Sequence, residues 1–160
     1  MAERTSEQTL SGAVLSISAS LPATYDAAGY GATSVAFTAV GSIEQYGDHG
    51  GTANVSRFTP VATGVTNKLK GAIDYGVMNL IMAYIPSDSG QDIVEAAFAS
   101  KNHYSVKIAY PAGAGETTGE IHYLDVLVTK RVWQDGAVDD VRKLAVDLEV
   151  CKPTVIVAGS

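Results

Sequence analysis

The chain has 160 residues and a mass of 16.6 kDa, the size of one domain, and a fold of that length buries roughly 70% of the surface its unfolded chain exposes. With 46% hydrophobic and only 18% charged residues, it is neither disordered nor strongly solvating, and some of its surface is expected to be covered by another chain. Seventeen acids against eleven bases, a formal charge of -6, argue against a protein that holds nucleic acid by neutralising phosphates. The single Cys151 excludes an intramolecular disulfide framework and any Cys-cluster zinc or iron-sulfur site, and makes a reducing cytoplasm the simplest home. No apolar run approaches the ~20 residues that span a bilayer, and MAERTSEQTLSG has no apolar core of the signal-peptide kind. A chain not exported by a membrane-targeting signal is expected.

The polar stretch Met1 to Ser11 lacks periodicity and reads as an arm with little structure of its own. Val14, Leu15 and Ile17 among serines predict a short strand that ends before Pro22 and the turn-rich ATYDAAGYGAT. Thr33 to Val40 and Ile43 to Tyr46 predict two more. The segment from Gly47 to Gly64, GDHGGTANVSRFTPVATG, is predicted to be a long loop in which VSRF is at most briefly extended, and loops of that length usually have a job. Asn67 to Ile73 and Val77 to Ile85 then read as a strand pair joined at Asp74, Tyr75 and Gly76, the second strand apolar on both faces and therefore central.

Pro86 stops that strand, and Ser87, Asp88 and Ser89 supply N-cap chemistry for a helix over about residues 88-100. Its apolar face is predicted to be Ile93, Val94, Ala97 and Phe98. Tyr104, Val106, Ile108 and Tyr110 alternate with polar or small residues, a half-buried strand. Thr117 to Val132 predicts a long strand whose inward face switches, as at a bulge. Leu144, Val146, Leu148 and Val150 alternate again, and a last apolar piece, TVIV, follows Pro153. About seven strands with tight turns and one helix predict a single mainly β domain, residues 1-160, an antiparallel β-sandwich or flattened barrel with one flanking helix.

Candidate chemistry is thin. Asp48 beside His49 could orient a general base, but adjacent residues seldom pair so, and a solvent-exposed loop histidine is the plainer reading. His103 and His122 sit on predicted neighbouring strands and could face each other, yet no spacing places a third metal ligand. Cys151 has Lys152 beside it, which could lower its pKa, but without a Cys-His context it reads as a structural or idle thiol. GYGAT lacks the lysine and the strand-to-helix setting of a phosphate loop. Trp133 is equally a partial core residue or an interface anchor. Glu116, Glu120, Asp125, Asp147 and Glu149 fall on or beside strands, as the solvated face of a sheet would.

The order PATYDAAGY, IEQYGDHGGTANV, KGAIDYG, SDSGQDIVEAAFAS, HYSVKIAYP with its Gly turn, GEIHYLDVLV and a final alternating strand resembles the tail tube proteins of long-tailed, non-contractile bacteriophages. The helix SDSGQDIVEAAF, followed directly by the Tyr-Val-Ile strand, carries most of the likeness, which runs from about Ala13 to Val157. The resemblance implies a structural virion protein without enzymatic activity or cofactor, assembled in the host bacterial cytoplasm into the virion tail. Hexameric rings would stack into a hollow tube that conducts DNA without binding it, alongside tape measure, tail terminator and distal tail proteins. It makes Asp48, His49, Gly50, Gly51, Arg57 and Phe58 candidates for contact between rings. Glu116, Glu120, Asp125, Asp147 and Glu149 become candidates for the lumen, where acids repel phosphate. The chain ends too soon after the last strand for the extra surface domain some members carry. The competing reading is a monomeric, non-enzymatic β-sandwich binding or adhesion module, which would stay monodisperse.

Overall fold

A computed structural model describes residues 7-160; the first six residues of the predicted N-terminal arm lie outside the described residues. From Glu7 to Leu10 the chain has no regular structure, and it runs beside Tyr110, Pro111 and Glu120 around a cleft of about 410 Å³. The elements are β1 (Val14–Ser18), α1 (Ala27–Tyr30), β2 (Thr38–Ala39), β3 (Ile43–Gln45), β4 (Thr52–Phe58), β5 (Asn67–Asp74), β6 (Val77–Ala83), α2 (Ser89–Ala99), β7 (Tyr104–Ala109), β8 (Ile121–Gln134), β9 (Lys143–Val150) and β10 (Val155–Val157). The fold is mainly β with antiparallel pairing throughout, as the alternation predicts.

One sheet runs β2-β1-β7-β8-β9-β6-β3, with β10 paired to β8, and curls into a half-barrel. Its register explains which side chains form the core. Ile108 faces Leu15, Val106 faces Leu124, Val126 faces Val150, and Leu80 faces Val146. Paired residues share a face, so the predicted period-two positions line up across five strands into one apolar surface. All eight of these residues are buried.

The predicted bulge lies on β8 at Thr129: Val128 faces Leu148 but Lys130 faces Asp147, so one residue is extra. The slip turns Arg131 and Trp133, which face Val146 and Leu144, onto the core side of the sheet. There Arg131 meets α2, its guanidinium 3.4 Å from Glu95 and 5.3 Å from the Phe98 ring centre. Trp133 is 41% exposed and lies 4.2 Å below the same guanidinium.

The sheet's two edge strands, β2 and β3, are neighbours in sequence, and the N-terminal end of α2 seals the seam where they meet. Asp88 caps α2 by accepting from Gln91 N at 2.9 Å and also accepts from Gly41 N at 3.2 Å. Gln91, 2% exposed, spends its whole amide: Oε1 accepts from Ile85 N, and Nε2 donates to Gly41 O and Ala83 O. Gly90 packs so tightly that a Cβ would stand 2.2 Å from Ala39 O.

Several expectations are corrected. Residues 47-64 are not one loop, because Thr52–Phe58 is a full strand. β5 pairs with β4, not with β6, and β6 is packed between β9 and β3. β6 buries alternate residues rather than both faces. Of the predicted Thr33 to Val40 strand only Thr38–Ala39 forms. The short α1 went unread; Asp26 caps it through Gly29 N. On α2, Val94 and Ala97 are buried as expected, whereas Phe98 is 40% exposed.

Candidate assembly surfaces

β4 and β5 form a separate two-stranded sheet, and every residue of β5 is exposed. The strands pair antiparallel from Thr52 opposite Asp74 to Phe58 opposite Asn67; Gly71 and Ala72 together oppose Asn54, a bulge on β5. That slip sorts the outer half into two faces. Arg57 stands opposite Lys68 and Val55 opposite Lys70 on one, while Ser56 opposes Leu69 and Phe58 opposes Asn67 on the other. Like charges placed directly opposite destabilise a strand pair unless something neutralises them. Among the described residues no carboxylate forms an ion pair with Arg57, Lys68 or Lys70. Phe58 and Leu69 are 64% and 63% exposed, and Val61 and Val65 at the far turn are exposed as well. An apolar and cationic finger on a chain of charge -6 is an unpartnered surface.

The contact candidates divide between the two ends of this hairpin. Asp48, His49, Gly50 and Gly51 lie at its base, lining a cleft of about 310 Å³ with Thr52, Tyr75, Gly76 and Val77. Arg57 and Phe58 lie at its outer end, about 20 Å away along the strand. His49 is not a free loop histidine. Its Nε2 is 2.8 Å from His122 Nδ1, and His122 Nε2 is bonded to Glu120 Oε1. Burial, then the His122 charge, holds the His49 pKa below its ordinary value, with Asp48 opposing. His122 and His103 do not face each other: His103 Nδ1 pairs instead with Asp125 Oδ1 at 2.6 Å.

The five acids separate too. Asp125 is 1% exposed, so it is no part of the subunit's accessible surface; it faces Ser105 on the side of the sheet that Tyr30 and Phe37 cover by packing on Tyr123. Glu116 accepts from Gly113 N in the turn before β8, and Glu120 is held by His122. Asp147 and Glu149 share the opposite side of β9 from the core. There Asp147 stands between Asn79 and Lys130, and Glu149 between Val77 and Leu127. Asn79, Val77, Lys130 and Val132 are exposed on this face, so no layer of the subunit covers it.

Cys151 is exposed, and burial of its sulfur, then Asp125 and Glu149, pushes the thiol pKa up despite Lys152. The Lys152 ammonium sits over the Tyr25 ring at 4.3 Å from its centre. Sequence reasoning missed Gln91, Tyr25 and Tyr30. Only Asp26, with Thr24 two residues before it, carried a local signal, that of an N-cap. Among the described residues no helix is long and apolar enough to cross a membrane.

No family model and no curated protein sequence matches the chain. Solved structures do. A chain of the anti-feeding prophage baseplate superposes with a TM-score of 0.70 at 10% identity, covering 99% of this chain and 98% of its own. The SPP1 tail tube gives 0.63 at 12% identity, covering 92% of this chain and 77% of its own. A chain of the PVC sheath-tube complex, from an extracellular contractile injection system, gives 0.61 at 10% identity, covering 91% and 88%. The chain therefore has the fold of tail tube and injection-system tube proteins. Because contractile and phage-tail assemblies match alike, the fold does not separate contractile from non-contractile machines.

Proposed function

We propose that this protein is a structural subunit of a phage-type tail tube, without catalytic activity. Its copies form hexameric rings that stack into a hollow tube through which DNA passes during ejection. The observation that carries the reading is the β4–β5 hairpin, which stands apart from the main sheet with Phe58 and Leu69 exposed and Arg57, Lys68 and Lys70 unneutralised among the described residues. A second copy supplies what this finger lacks: an acidic body for its cations and apolar surface for Phe58 and Leu69. The fold likeness supports the same reading. The sheet face bearing Asp147 and Glu149 is then the surface turned to the bore. The likeness to non-contractile tails seen in the sequence, the tape measure, terminator and distal tail proteins as partners, and the virion tail as location all belong to this proposal.

Electron microscopy and sedimentation of the purified chain test it. The wild-type protein is expected to form rings or tubes, alone or when seeded, whereas Arg57→Glu with Lys68→Glu and Lys70→Glu leaves a folded monomer with unchanged circular dichroism. A wild-type chain that stays monodisperse at every concentration, seeded or not, would point to the binding-module reading instead.

A further inference from the structure

The sheet brings together three residues that are far apart in sequence: His103, just before β7, Asp125, within β8, and Cys151, just after β9. Tyr104 and Val150 both face Val126, so their outer neighbours fall around the same point of the sheet. Cys151 N donates to Asp125 O at 2.9 Å, which fixes Cys151 beside the aspartate. One donor atom from each of His103, Asp125 and Cys151 lies within 4.8 Å of the other two.

Asp125 is the unusual member. It is 1% exposed, and its Oδ2 has no hydrogen-bond partner among the described residues. Leaving a buried carboxylate oxygen bare is costly, and such a group calls for a missing partner. Lys152, which follows Cys151, does not pair with this carboxylate but lies over the Tyr25 ring. The phenols of Tyr25 and Tyr30 are raised in pKa by burial first and by the Asp125 charge second, and Tyr25 also by weak side-chain hydrogen bonding to Asp125, so both stand close to this carboxylate, while the Tyr30 hydroxyl itself has no partner among the described residues.

We propose that His103, Asp125 and Cys151 form a binding site for one divalent transition-metal ion, zinc being the ion that suits an imidazole, carboxylate and thiolate set. Zinc takes nitrogen, oxygen and sulfur donors at about 2.0 to 2.3 Å and is content with three protein ligands plus solvent. Magnesium and calcium demand oxygen donors throughout. An ion between the three would part the 2.6 Å pair of His103 Nδ1 and Asp125 Oδ1 and draw the Cys151 sulfur in from within 4.8 Å. His103 and Cys151 are partly exposed and give access, while Asp125 is the buried anchor. On binding, the Cys151 S–H bond breaks, its proton goes to solvent and the thiolate takes the metal. The His103 ring gives up to solvent the proton that Nδ1 holds against Asp125, takes one on Nε2 in its place, and offers the freed Nδ1 lone pair to the metal. The ion would tie the ends of β7 and β9 to the middle of β8, where the chain leaves for Pro153 and β10.

The test uses the full chain, stripped with a chelator and titrated with Co²⁺ as a spectroscopic stand-in, then with Zn²⁺. One equivalent should raise a thiolate-to-cobalt charge-transfer band that zinc bleaches, and zinc should slow Cys151 modification by a thiol reagent about tenfold or more. Cys151→Ser, at an exposed position, should fold normally and lose the band. His103→Gln should weaken binding by about tenfold or more. Asp125→Asn should do the same, and if that variant does not fold, the other two decide. A folded wild-type chain with no band and unchanged thiol reactivity overturns the site. So does binding that survives Cys151→Ser and His103→Gln but is lost in His49→Gln, which would move the ion to the His49, His122 and Glu120 cluster.

Discussion

At the scale of single residues, the hairpin's base rests on a chain of proton donors with only one consistent arrangement when both imidazoles are neutral. His122 Nε2 donates to Glu120, so His122 Nδ1 must accept, and His49 Nε2 must carry the proton between the rings. The edge of the Tyr110 and His122 ring pair, with centres 4.9 Å apart, closes one side of the cluster. A proton added to His49 places a cation where burial and His122 both disfavour it, which is why its pKa falls below 6.5. A base whose folded pKa is depressed takes its proton more readily in the unfolded chain. Its stabilisation is therefore complete above 6.5 and is lost as pH falls through the lower folded value. The urea midpoint of the wild-type chain is expected to drop between about pH 7.5 and pH 5, and His49→Gln to flatten part of that drop. A midpoint that changes equally in the variant would show that other groups set the acid response.

At the scale of elements, α2 is both a plug and a cover. Its N-terminal end enters the seam between β2 and β3, burying Gly90 and Gln91, and its later turns lay Val94 and Ala97 on the core, while Phe98 falls at the margin of that contact and stacks on the Arg131 guanidinium. Helical periodicity locates an apolar stripe but does not say how much of its width is covered. Gln91→Leu keeps the volume and strands the Ile85 N–H and the Gly41 and Ala83 carbonyls, so it should cost about 3 kcal/mol or more. Phe98→Ala should cost less than about 1 kcal/mol, as exposed positions do. Denaturant unfolding measures both; the reverse order would mean that α2 is held by its apolar face alone.

At the scale of the whole molecule, the curled sheet has a core side and a second side that is covered over β7 and the first half of β8 but bare over the rest of β8, β9 and β6. Asp147 and Glu149 lie on the bare part, and Lys130 stands directly across from Asp147. If that surface lines the bore of an assembled tube, its acids keep phosphate from adhering. Asp147→Lys with Glu149→Lys should then leave assembly intact and make tubes that retain short duplex DNA in a salt-dependent way, while wild-type tubes release it. Double-variant tubes that pellet no more DNA than wild type would place this face away from the bore.

The sequence by itself determined the features whose cause is local. Alternation along Tyr104 to Ala109 and Lys143 to Val150 named the core side chains, because successive residues of a strand point to opposite faces wherever it pairs. Asp88 announced α2, and the switch of faces in β8 announced its bulge, because caps and alternation act within a few residues. The order of elements carried the fold likeness for the same reason. The partners of those elements were not local, and only the tertiary structure decided them. The turn at Asp74 is real, with Gly76 N donating to the Asp74 carboxylate and Gly76 at a φ of 70°. That turn passes the chain from one sheet to another, since β6 gains more by laying Met78, Leu80 and Met82 into the core than by pairing with β5. The same holds for Asp125, which alternation alone could set on a solvated face. Its burial beneath Tyr30 and its meeting with His103 and Cys151 depend on how three strands align side by side, and strand register is settled by packing across the whole sheet.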